Sequence, residues 1–125
     1  MSSKQILIID DDKDLTDILS DELMKDGLTV HVAHDGSSGL KMALDKKPDL
    51  ILLDIKMPGM DGIAMLEQLR LDPWGKGVEV IFLTVLDQPE VLSRALELGG
   101  YEYFVKTDWK IKDIVARIRE KLGVK

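Results

Sequence analysis

Asp10, Asp11 and Asp12 follow the aliphatic run Ile6–Ile9, and Asp54 ends a second aliphatic run, Leu50–Leu53. Two carboxylates held about 4 Å apart repel by several kcal/mol at an intermediate effective dielectric, so an acidic cluster persists where a cation neutralises it. Hard oxygen ligands at a wet rim suit Mg²⁺, which takes one or two carboxylates and completes its octahedron with water and phosphate oxygens. Asp54 could be a further ligand or a nucleophile, since aspartyl phosphate is an established covalent intermediate. Thr84, after Val78–Leu83, could donate its hydroxyl to a phosphoryl oxygen, and Lys106, closing the stretch YFVK, could set a point charge against another.

Plainer roles stand beside these. Asp12 is placed to cap a helix, Asp54 could be a turn residue, and Lys106 a solvated strand end. Tyr103 reads as a half-buried strand aromatic, His31 and His34 as solvated surface, and Trp74 and Trp109 as packing residues near helix ends. The charges from Lys112 to Lys121 read as the outer face of an amphipathic helix. One shared site nevertheless accounts for four strand ends together.

The elements that must position these groups alternate in period. Lys4–Ile9, Leu28–Ala33, Leu50–Leu53, Val78–Leu83 and Tyr101–Val105 read as strands. Between and after them, apolar residues recur at helical spacing: Leu15, Ile18, Leu19 and Leu23; Leu40, Ala43 and Leu44; Ile63, Leu66 and Leu69; Val91, Leu92, Ala95 and Leu98; Ile111, Ile114, Val115, Ile118 and Leu122. Five alternations imply an α/β fold with right-handed crossovers and a parallel sheet covered on both faces. In such sheets ligands sit beyond the carboxyl ends of the strands, which is where the aspartates, Thr84 and Lys106 fall.

Composition sets the class. A chain of 125 residues with 45% hydrophobic and 32% charged residues fits one globular domain over 1–125. Seventeen basic residues against 23 acidic give a net charge of -6, which argues against a phosphate-neutralising nucleic-acid surface. There are no cysteines, no apolar run long enough to insert in a membrane and no signal-peptide pattern, so a cytoplasmic protein is expected.

The stretches ILIIDDD, LLDIKMPGMDG, FLT and YFVK together resemble a two-component response-regulator receiver domain, over nearly the whole chain. D-x-x-x-P-x-x-D-G is moderately specific. The separations of 43 residues from Asp11 to Asp54, 30 to Thr84 and 22 to Lys106 are close to that family's. The resemblance, rather than the pattern, implies a CheY-like, flavodoxin-like doubly wound sheet of five parallel strands in the order 2-1-3-4-5 with five helices. It implies a phosphoacceptor that assists its own phosphorylation and dephosphorylation, rather than an enzyme. Asp54 would take a phosphoryl group from a sensor histidine kinase or phosphotransfer protein. Asp11 would bind Mg²⁺ directly and Asp10 through water, with Asp54 and the Lys56 backbone carbonyl completing the protein ligands. Met57-Pro58-Gly59 would aim that carbonyl, and Gly62 would permit close approach of the chain. Thr84 moving inward would make room for the Tyr103 ring, reshaping the surface of the last helices and strand five for a downstream protein target or a second copy of the chain.

Three positions depart from the family pattern. Thr107 stands where proline usually follows the lysine, and a cis bond there costs about 3 kcal/mol without proline. Val85 is branched where a small residue is usual, and Lys56 could overhang the phosphoryl group; both are expected to influence phosphoryl lifetime. The alternatives are a degenerate receiver acting as a phosphorylation-independent interaction module and an aspartate-nucleophile phosphatase. The phosphatase is disfavoured because Lys56 occupies the position of its acid/base aspartate. A flavodoxin is disfavoured because three aspartates would repel a flavin phosphate. A stand-alone regulator and one domain of a longer chain fit equally.

Overall fold

A computed structural model describes residues 3–85, 89–99, 102–106 and 110–124. Its strands are β1 (Gln5–Ile9), β2 (Thr29–Ala33), β3 (Leu50–Leu53), β4 (Glu79–Thr84) and β5 (Glu102–Val105). They alternate with α1 (Lys13–Met24), α2 (Gly36–Lys46), α3 (Gly62–Leu71), α4 (Pro89–Glu97) and α5 (Ile111–Leu122). All strand pairs are parallel, in the order β2-β1-β3-β4-β5, so the expected doubly wound sheet is the one observed.

Side chains alternate across a strand, so each central strand feeds two cores. Leu7, Ile9, Ile51, Leu53 and Phe82 pack with Met65, Leu66 and Leu69 of α3 and Ala95 of α4 on one face. Ile6, Ile8, Leu50, Leu52, Ile81 and Leu83 pack with Leu19, Leu23, Ile114 and Ile118 of α1 and α5 on the other. Burial on both faces explains why β1, β3 and β4 are near-continuous apolar runs.

Aspartates begin three helices. Asp12 accepts from the Leu15 N–H at 3.1 Å, Asp35 from Ser38 at 2.7 Å and Asp61 from Ala64 at 2.8 Å, each satisfying an N–H that the first helical turn leaves without a partner. Asp12 is thus a cap, as its position suggested.

Several details differ from the sequence reading. Ile18 and Leu44, expected on buried helix faces, are exposed; Thr16 fills the inward position on α1 instead. His31 is half-buried, with Nε2 3.0 Å from Gln5 Oε1, rather than solvated. Tyr103 is 44% exposed, close to the half-buried strand aromatic expected. The α5 charges are not merely a solvated face: Arg117 donates twice to Glu102 of β5, at 2.6 and 2.7 Å, and Lys121 lies 2.8 Å from the same carboxylate. Trp74 packs against the α3 core as expected. Tyr101, Thr107 and Trp109 lie outside the described residues.

Candidate functional site

The register of the sheet builds the site. Ile9 pairs with Leu53, so the next residues, Asp10 and Asp54, emerge side by side. The ladder runs one step further on each strand: Asp10 N–H donates to Ala33 O at 3.1 Å, Asp54 N–H to Ile9 O at 2.8 Å and Lys106 N–H to Thr84 O at 2.7 Å. These bonds fix the backbones of Asp10, Asp54 and Lys106 to the rigid sheet rather than to loops.

The side chains converge. Lys106 Nζ lies 2.8 Å from Asp10 Oδ2 and 3.3 Å from Asp54 Oδ2. The second Asp10 oxygen accepts the Asp12 N–H at 2.9 Å. Among the described residues, buried Asp54 Oδ1 has no hydrogen-bond partner. Carboxylate oxygens of Asp10, Asp11 and Asp54 all lie within 4.8 Å of one another. Asp10 and Asp54 are 1% and 3% exposed, so the wet rim expected from the sequence is wet only at Asp11. Thr84 is fully buried at the end of β4, whereas Val85 (54% exposed) and Lys56 stand at the surface.

Burial is expensive for charge, and the titration behaviour reflects it. Desolvation first, and Asp10 second, push the Asp54 carboxyl up to about 6, against the downward pull of Lys106. Burial pulls the Lys106 ammonium down, but its bonds with Asp10 and Asp54 more than offset this and leave it raised. Three clustered carboxylates therefore have one ammonium beside two of them, with the Asp54 Oδ1 atom left without a hydrogen-bond partner among the described residues. This hard-oxygen donor set could bind a metal ion, and a divalent cation fits its unbalanced charge.

The β3–α3 loop is folded tightly against this cluster. Gly62 N–H donates to Ile55 O at 2.8 Å, closing the loop, and Ile55 and Met57 anchor it in the core. A Cβ on Gly62 would meet Asp54 O at 2.2 Å, so only glycine permits the approach expected of it.

Residues 6–119 match the response regulator receiver domain family. The chain belongs to that family. The receiver domain is 37% identical over 119 residues to the DNA-binding response regulator MtrA of Mycolicibacterium smegmatis, covering 95% of this chain and 50% of that protein. It thus spans about half the length of the curated relatives it matches. Among solved structures, a CheY-like receiver domain protein from Methanospirillum hungatei superposes with a TM-score of 0.87 at 32% identity, covering 98% of this chain and 95% of that one. The BeF3-activated N-terminal receiver domain of RstA from Klebsiella pneumoniae gives 0.82 at 29% identity, covering 95% and 98%. Receiver domains are signalling domains of two-component systems rather than classical enzymes. No described helix is long and apolar enough to cross a membrane.

Sequence reasoning named Asp10, Asp11, Asp54 and Lys106 as a group, and the fold brings them together. It missed Arg70, whose guanidinium donates to the carbonyls of Leu98, Gly75 and Val78 at 2.7, 2.7 and 2.8 Å. It also missed Arg94, which joins α4 to Glu67 of α3 at 2.7 Å. Neither carries a motif; a lone arginine on a helix gives no hint of which carbonyls or carboxylates the fold will bring to it.

Proposed function

We propose that Asp54 is the phosphoacceptor of this receiver domain, taking a phosphoryl group from the phosphohistidine of a sensor kinase or phosphotransfer protein. The reading is carried by the Asp54 side chain: one oxygen faces Lys106, and the other is buried without a partner among the described residues. That free oxygen forms the new O–P bond as the N–P bond breaks, and the electron pair of the broken bond stays on the imidazole nitrogen. Lys106, bonded to both Asp10 and Asp54, is placed to neutralise phosphoryl oxygen charge.

Asp11 and Asp54, the Lys56 carbonyl and, through water, Asp10 would hold Mg²⁺. When bound, the ion supplies positive charge to the carboxylates and to phosphoryl oxygens. The protein's own part is to fix these oxygens on strand ends, so little reorganisation is needed during transfer.

Thr84 and Tyr103 are the proposed relay. Thr84 is buried at the end of β4, and Tyr103 lies on the neighbouring strand with an exposed ring. A hydroxyl drawn toward a phosphoryl oxygen would free space for that ring, biasing a two-state surface formed by α4, β5 and α5. A protein target or a second copy of the chain would read this face. The net charge of -6 favours action through protein contacts over direct binding to nucleic-acid phosphates.

Incubation with acetyl phosphate and Mg²⁺ tests the assignment. One phosphoryl mass gain, abolished by Asp54→Ala, is the expected result. Continuous phosphate release with turnover would point to a phosphatase, and no modification to an interaction module.

A further inference from the structure

The proposed metal ligand on Lys56 is a backbone carbonyl, so its position is only as good as the support of the β3–α3 loop. Residues 55–61 have one abutment on the sheet side, where Gly62 lies against the Asp54 carbonyl. A second abutment comes from an element with no residue in the acidic cluster. Gly36, the first residue of α2, is buried, and a Cβ built on it would meet Met60 O at 2.2 Å, Met60 C at 3.0 Å and Met60 Cγ at 3.1 Å. The first contact is with rigid backbone, so the loop carbonyl would have to retreat by close to an ångström.

From this contact we infer that Gly36 is a positioning residue for the Mg²⁺ site: the bare backbone at the start of α2 is the stop against which the Met60 carbonyl rests, and it sets where the Lys56 carbonyl points. The inference rests on the reading of Asp10, Asp11, Asp54 and Lys56 as that site. The α2 terminus is built to be a firm stop. Asp35 accepts from Ser38 N–H at 2.7 Å and from Ser38 Oγ at 3.0 Å, fixing the turn that carries Gly36. The loop transmits the stop because it is closed by the Gly62–Ile55 hydrogen bond and pinned in the core at Ile55 and Met57. Displacing it at Met60 therefore strains the short span between Met57 and Gly62 and would turn the Lys56 peptide held between the two core anchors. Groups that orient metal ligands from outside the site typically change affinity by about 10–100-fold.

Gly39, one helical turn on, supplies the control. The three atoms nearest to a Cβ there all belong to the Ile9 side chain, at 2.6 to 2.9 Å, so the substitution presses on the core rather than on the loop carbonyl. Mg²⁺ binding is measured by calorimetry on the full chain, with thermal unfolding in EDTA, for the wild type, Gly36→Ala, Gly39→Ala and Asp35→Ala. Gly36→Ala is expected to weaken Mg²⁺ binding by at least about 10-fold, while Gly39→Ala, which presses on the Ile9 side chain and not on the loop, weakens it by at least about threefold less. Asp35→Ala removes an exposed cap, and it is expected to weaken binding by about two- to fivefold through a looser α2 terminus. If Gly36→Ala does not fold, the Asp35→Ala and Gly39→Ala pair decides the matter. Binding by folded Gly36→Ala within twofold of wild type, or equal weakening by Gly39→Ala and Asp35→Ala, would overturn the inference. A wild-type protein that takes up no Mg²⁺ would instead overturn the site assignment on which it rests.

Discussion

Lys106 Nζ stands 3.3 Å from Asp54 Oδ2, while Oδ1 of the same carboxylate is buried without a partner among the described residues. The ammonium is also 2.8 Å from Asp10 Oδ2, so one positive charge is divided between two buried acids. The arrangement is under-neutralised. That imbalance, rather than any single contact, makes the cluster suited to a cation and has consequences for stability.

Replacing Asp54 by asparagine should stabilise the metal-free protein. Its folded pKa of about 6 exceeds the ordinary 3.8, so the folded chain holds this proton more tightly than the unfolded chain. Stability from this group falls as pH rises from 3.8 toward 6, and the cost is fully present above that. Asp54→Asn is expected to gain about 1–3 kcal/mol at pH 7.5 in EDTA, with the gain fading below about pH 4. Denaturant melts across pH check this; a gain that persists at pH 3.5 would contradict it.

Lys106→Ala should act in the opposite direction. It leaves two buried carboxylates without the ammonium and should cost about 3–5 kcal/mol at neutral pH. Mg²⁺ or mild acid should restore part of the loss, which urea midpoints with and without the ion would reveal.

Glu102 gives a second pH signature, distant from the acidic cluster. The Arg117 hydrogen bonds, against some burial and with help from Lys121, hold its carboxyl down at about 2. Its contribution is therefore complete above the ordinary value of 4.5 and is lost as pH falls from there toward 2. The Glu102 side chain is 23% exposed, so solvent screening limits the loss in Glu102→Gln to about 1 kcal/mol at pH 7. The difference from wild type should vanish near pH 2.

Thr84→Ala should separate chemistry from signalling. The variant is expected to accept a phosphoryl group on Asp54, because Thr84 supplies neither the nucleophile nor the lysine charge. Phosphorylation-dependent shifts at the Tyr103 ring, followed by NMR, should be much reduced. Shifts equal to wild type would remove Thr84 from the relay.

Val85→Ala and Lys56→Asn should change how long the phosphoryl group survives. Both side chains stand exposed, Val85 next to Thr84 and Lys56 two residues after Asp54, and are proposed to limit the approach of water. Dephosphorylation rates followed by phosphate release would reveal an effect of about twofold to tenfold; unchanged rates in both would reject the idea.

The sheet was legible because buried parallel strands leave unbroken aliphatic runs and their connecting helices leave a period near four. The acidic cluster was legible because strand-end residues share one edge in such a fold. What escaped depends on long-range packing. Nothing local marks Ile18 as exposed while Thr16 turns inward, or tells Arg117 that Glu102 of β5 is its partner. The burial of Asp10 and Asp54 escaped for a similar reason: an aspartate after a strand reads as solvated until the loops that cover it are placed. Gly36 carried a signal only in hindsight, because an Asp-Gly pair ahead of a helix reads as a cap and a turn, not as a seat for another loop.

Beryllofluoride mimics a phosphoryl group on a carboxylate without turning over, and a crystal soaked with it and Mg²⁺ addresses Asp54 directly. The account predicts beryllium on Asp54 Oδ1, a fluoride within hydrogen-bonding distance of Lys106 Nζ, and no adduct in Asp54→Ala. An unmodified Asp54 in crystals whose Mg²⁺ is bound by Asp11, or an adduct on another carboxylate, would contradict it.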